Sequence, residues 1–162
     1  MDTSNYTQKT LEALREAQKL AVEYENQVLE PEHLLAALAG QENGLIPQLL
    51  QKLGVEPSAF VAAATEKLGA LPRVSGSGRD PDKVYVSQAT DKALLAAERE
   101  AKAMKDEYIS VEHLFLGLID EASAAAKQLF NTFGITKDKF LAQLSAVRGN
   151  QRVTSDNPED TY

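Results

Sequence analysis

The sequence predicts an all-α protein built from two tandem copies of a four-helix unit, and three observations carry that prediction. First, the chain's two histidines lie in matching settings, "PEHLLAALAG" from Pro31 and "VEHLFLGLID" from Val111, each between a glutamate and a leucine. The shift in numbering that carries His33 onto His113 also lays residues 7–69 over 87–149 without a gap. Identical pairs include Gln8/Gln88, Thr10/Thr90, Leu14/Leu94, Glu32/Glu112, Leu34/Leu114, Gly54/Gly134 and Phe60/Phe140. Second, the matches in the first segment fall at Thr10, Ala13, Leu14, Ala17 and Ala21. That is the spacing of one helix face, so the copied feature is a packing surface. Third, no stretch alternates apolar and polar with β-branched residues, so no important strand is expected.

In chain order, the first copy reads as helices over 7–24, 30–40, 45–53 and 57–68. Pro31 suits the first position of the second helix, where its missing N–H has no partner to lose. Glu32 then falls in the first turn, at the positive end of the helix dipole. Gly54 follows the third helix where a left-handed residue is needed, and Gly134 repeats it. "LPRVSGSGRDPDKVYVS" supplies a surface loop over 70–86. The second copy repeats the four helices at the same shift, with Ser110 as the N-cap before Glu112. The end, 150–162, is polar and reads as a linker toward a domain not included in the chain.

Length and composition bound the function. With 162 residues, 43% of them hydrophobic and 25% charged, the chain makes one globular domain or two intimately packed halves. Cysteine is absent, which excludes disulfides, thiolate zinc sites and a cysteine nucleophile. A formal charge of −7, with 17 Lys and Arg spread along the chain, lacks the footprint of a nucleic-acid binder and disfavours an anionic membrane. The polar start and the lack of any long apolar run point to a cytoplasmic protein that begins at its natural start.

Three chemistries compete for the Glu-His pairs. Neighbouring Glu32 and His33 point about 100° apart on a helix and cannot chelate one ion together; a first-turn acid beside a partly buried histidine is the simpler reading. Glu32 and Glu112 as an acid and base pair find nothing in the sequence to separate their protonation. Neither a Walker-type phosphate loop nor a G-x-S-x-G elbow is present. What remains is a binding architecture. Two copies packed about a pseudo-two-fold axis leave a groove where they meet, with Asp106, Glu107 and Glu112 at one junction. An apolar groove with an acidic rim suits extended, apolar, slightly basic peptides.

The paired "EHLLAAL" and "EHLFLGL", the gapless duplication and "GALPRVSGSG" together resemble the Clp N-terminal repeat domain family. The closing "RGNQRVTSDNPEDTY" resembles the approach to the first ATPase module in the disaggregase branch of that family. The resemblance implies a Clp domain over 1–149, with repeats 7–69 and 87–149. It implies a mobile, non-catalytic, substrate-recognition domain that captures exposed hydrophobic segments of unfolded or aggregated polypeptides for a hexameric AAA+ ring of its own chain. The DnaK chaperone system would be the partner of the whole protein, and ATP and Mg would be its cofactors, none binding in this segment. Thr7, Asp106, Glu112 and Leu94 match the family's substrate-binding positions. His113 stands where some relatives carry an apolar residue, which would make that wall of the groove more polar. The second reading is a docking platform for a folded adaptor protein; by either reading the isolated domain is a monomer.

Overall fold

The computed structural model describes residues 3–74 and 84–160. Its helices are α1 (Gln8–Glu23), α2 (Pro31–Ala39), α3 (Leu45–Lys52) and α4 (Pro57–Gly69), then α5 (Gln88–Ala103), α6 (Val111–Asp120), α7 (Ala124–Phe133) and α8 (Lys137–Arg148). Each copy therefore holds the four expected helices, and the caps fall where the sequence put them. Pro31 opens α2, Gly54 and Gly134 adopt φ of 78° and 67°, and Ser110 caps α6. The middle of the expected loop, residues 75–83, lies outside the described residues.

Two departures from the sequence reading matter. A pair of two-residue strands, β1 (Val28–Leu29) and β2 (Tyr85–Val86), run parallel and join the copies. They are too short to show alternation, which is why the pattern missed them. The described part of the end segment, 150–160, also packs on the domain where a free linker was expected: Val153, Pro158 and Glu159 are buried.

The pseudo-two-fold relation is written in the hydrogen bonds. The start of α1 docks on the second copy, with Thr7 N–H donating to the carbonyl of Ile109 at 3.1 Å and Thr10 Oγ1 donating to the same oxygen at 3.0 Å. The start of α5 docks on the first copy in the same way, Ser87 N–H and Thr90 Oγ1 reaching the carbonyl of Leu29 at 3.2 and 2.8 Å. Thr7 and Ser87 also accept from the N–H of Thr10 and Thr90 as N-caps. Each copy is thus sealed by the first turn of the other. Between them the core is a single cluster, in which Phe115 stacks on Phe140 with ring centroids 4.8 Å apart.

One residue breaks the symmetry. Gly117 of α6 lies so close to α5 that an added Cβ would meet Ala93 O and come within 2.7 Å of Ala97 N. Its counterpart in the first copy is Ala37, which carries a methyl there. An open groove of about 600 Å³ lies in the first copy, with Leu20, Ala36, Ala37 and Val61 among its lining and Lys9, Glu12, Glu16 and Glu42 around them.

Candidate functional site at the junction of the repeats

The histidines answer for their own spacing. His33 is the third residue of α2, and its Nδ1 accepts the backbone N–H of the cap residue Glu30 at 2.9 Å. With Nδ1 an acceptor, Nε2 carries the proton and donates to Oδ1 of Asn26 at 3.0 Å. His113 repeats both bonds, Nδ1 accepting Ser110 N–H at 2.9 Å and Nε2 lying 2.7 Å from Oδ2 of Asp106. Each ring staples the loop before its helix, and both of its nitrogens are used. Neither offers a lone pair to a metal, and no group of three or more acidic or histidine side chains among the described residues could hold an ion. His113 is fully buried, so it faces the interior and does not wall an open groove. Burial lowers the His33 pKa to about 4, with the bond to the Glu30 backbone opposing it.

Around His113 the second copy builds a charged cluster that the first copy lacks. Asp106 Oδ1 accepts the Arg148 guanidinium and the Val153 N–H, the latter at 3.0 Å. Arg148 Nη1 lies 3.6 Å from Glu112 Oε2. Burial works to raise the Asp106 carboxyl, but the hydrogen bonds from His113, Arg148 and Val153 outweigh it and hold the group below the usual carboxylate range. The corresponding positions of the first copy are Asn26 and Leu68, a neutral solution to the same geometry.

A third buried carboxyl completes the site. Glu159 Oε2 accepts the Thr7 hydroxyl at 2.7 Å and the N–H of Val111, the first residue of α6, at 3.2 Å. It therefore sits at the positive end of that helix. Burial pushes its pKa up, and the neighbouring charge of Glu112 pushes the same way.

The residues proposed from the sequence divide. Thr7, Asp106 and Glu112 come together in this junction, all of them buried. Leu94 belongs instead to the hydrophobic core, 7% exposed, while its neighbour Leu95 is 56% exposed. Val28 and Tyr85, paired across β1 and β2, are the other large apolar side chains left exposed among the described residues, at 38% and 60%. Arg148 and Glu159 were not anticipated. Arg148 had a readable signal, since it replaces a leucine of the first copy just as Asp106 replaces an asparagine. Glu159 lies beyond the duplicated stretch and had none.

A duplicated helical bundle whose charged residues serve to seal its own junctions defines the class: a repeat-built, all-α domain. The chain belongs to the Clp repeat (R) N-terminal domain family, whose model matches residues 5–160. It is 45% identical over 163 residues to the chaperone protein ClpB of Nitratidesulfovibrio vulgaris and 43% identical over 162 residues to that of Bacillus cereus. Both alignments take in 100% of this chain and 19% of the relative, so the chain spans about a fifth of the length of these proteins. Among solved structures, the Hsp104 N-terminal domain from Candida albicans superposes with a TM-score of 0.81 at 24% identity, covering 96% of this chain and 99% of that one. The N-terminal domain of the ClpV1 ATPase from E. coli gives 0.72 at 20% identity, covering 96% and 91%. Likenesses at such identity show the fold.

Proposed function

We propose that this domain recognises substrates for a ClpB-type ATP-dependent disaggregase, weakly capturing exposed hydrophobic segments of unfolded or aggregated proteins and passing them to the AAA+ ring. One observation carries the reading: the junction of Thr7, Asp106 and Glu112 already holds a returning stretch of main chain, residues 153–159, irregular up to the short 3-10 turn that begins at Pro158, and so is shaped for polypeptide. ATP and Mg, the hexamer, the DnaK system and a cytoplasmic setting belong, on this reading, to the whole protein. Weak capture suits the role, because a client held tightly at the ring would resist transfer.

An amide-shift titration of the domain with an extended apolar peptide tests it. Shifts clustered at Thr7, Asp106 and Glu112 with micromolar or weaker affinity are expected. Nanomolar binding with slow release would sink the handover mechanism.

A second reading, the docking of a folded adaptor, draws on the groove between α1, α2 and α4 of the first copy. In the same titration a folded adaptor gives defined stoichiometry and shifts at Leu20, Ala37 and Val61, leaving the junction unmoved.

A further inference from the structure

Residues 153–159 read as linker in the sequence, yet they are anchored at three points in succession. Val153 is fully buried; its N–H donates to Asp106 and its carbonyl accepts the N–H of Glu107 at 2.8 Å. Asp156 follows, its carbonyl accepting the N–H of Gln8 at 2.7 Å and its carboxylate the Gln8 side-chain amide at 3.1 Å. Glu159 closes the run on Thr7 and Val111. The intervening Thr154, Ser155 and Asn157 are exposed. What the junction reads is therefore a small branched apolar side chain at one end, Val153, and a carboxyl at the other, Glu159, with main-chain bonds between.

The same contacts cover Thr7 and Asp106, so an incoming polypeptide and this segment compete for the same donors and acceptors. We propose that the junction of the α1 and α6 starts is an acceptor site for a short acidic segment, that residues 153–159 are its resident occupant, and that this strap must leave before a client is taken. Only the last part rests on the client-capture reading above. The strap is built to be reversible: few apolar side chains hold it, and Glu159 is buried beside Glu112, whose like charge works against docking. A client then meets a displacement factor, its apparent affinity being the intrinsic one multiplied by the strap-free fraction. Attachment to the domain keeps the strap at high effective concentration, so even a weak strap competes well.

The test uses the whole chain of 162 residues and a synthetic peptide of residues 152–160. In Glu159→Ala, the amide signals of 153–159 are expected to move toward free-chain positions, and the added peptide is expected to shift Thr7, Gln8, Glu107 and Val111. In a Gln8→Cys, Asp156→Cys variant of this cysteine-free chain the disulfide locks the strap. The peptide should then bind only after reduction, and an apolar client at least ~10-fold more weakly before reduction than after. A strap that stays docked without the Glu159 carboxyl overturns the proposal, as does a freed strap whose peptide leaves those four amides unmoved. Equal client binding by oxidised and reduced forms rules out the gate. If the synthetic peptide binds the variant and no apolar client does, the acceptor site stands and the client-capture reading is the one that fails.

Discussion

The close approach of α6 to α5 hangs on one hydrogen atom in place of a methyl, and Gly117→Ala tests that claim. Helix propensity alone favours the change, alanine being better than glycine by up to about 1 kcal/mol inside a helix. The geometry opposes it. The new Cβ would lie 2.7 Å from Ala97 N and 3.1 Å from Ala97 Cα, where ordinary contact begins at 3.4 Å. The deficit at Ala97 N is 3.4 − 2.7 = 0.7 Å and it is larger still at the Ala93 carbonyl oxygen; the obstructing atoms are backbone, so no side chain can swing aside and the whole of α5 must move. Forced overpacking of this kind costs about 1–3 kcal/mol. Set against the propensity gain, the net expectation is a loss of up to ~2 kcal/mol, or up to about 8 °C in melting temperature for a domain of this size. Urea denaturation measures it. Gly69→Ala is the control: it ends α4 with nothing within 4 Å of the added Cβ, so it should be neutral or stabilising. If Gly117→Ala stabilises as much as Gly69→Ala does, the closure of α5 on α6 is not set by that close approach.

Two further outcomes follow from the buried polar groups. His33 should remain neutral until about pH 4, read from its ring-proton shifts. Because its folded pKa lies below the ordinary 6.5, the unfolded chain binds the proton first, and stability is lost as pH falls from 6.5 toward 4, by about 3 kcal/mol in all. A midpoint near 6.5 would mean the ring is solvated. Asp106→Ala removes the partner of a buried guanidinium and should cost about 3–5 kcal/mol in denaturation, so a binding defect in that variant is interpretable only after its fold is checked.

The fold was legible because it is a duplication: helix faces, caps and special glycines recur at one constant shift, and each recurrence doubles the signal of a pattern that is weak alone. The site was legible in part. Thr7 reads as the start of the first helix, and Glu112 as a first-turn acid, so sequence logic alone gave them local roles and no reason to meet. What joins them is Glu159, whose position depends on a tertiary return of the chain that no periodicity encodes. Leu94 shows the opposite limit: its helical phase predicted a core face, and the core is where it lies. Leu95 was the informative neighbour, an exposed leucine on the polar side of α5.

The mismatches within the duplication say more about specialisation than the matches do. Asn26 and Leu68 in the first copy become Asp106 and Arg148 in the second, a paired exchange that keeps the histidine staple and adds one charge of each sign. A buried ion pair is a poor source of stability by itself, since desolvation offsets most of the attraction. It needs its remaining hydrogen-bonding capacity filled. Here the Val153 N–H does that for Asp106, and the carbonyl of Gln151, accepting from Arg148 Nε at 3.0 Å, does it for the guanidinium. The charged pair is thus coupled to the segment that follows α8 by accepting the Val153 N–H, whereas Asn26, the neutral counterpart, spends its oxygen on His33 and donates its amide to the carbonyl of Pro72 at 3.2 Å. Asp106→Asn with Arg148→Leu copies the first repeat into the second. It should recover most of the stability lost in Asp106→Ala while releasing residues 151–159, seen as faster amide exchange there and unchanged exchange in α5 and α6. A double variant as unstable as Asp106→Ala, or one whose strap stays protected, would show that the exchange is packing variation and that the strap is held by Thr7 and Val111 alone.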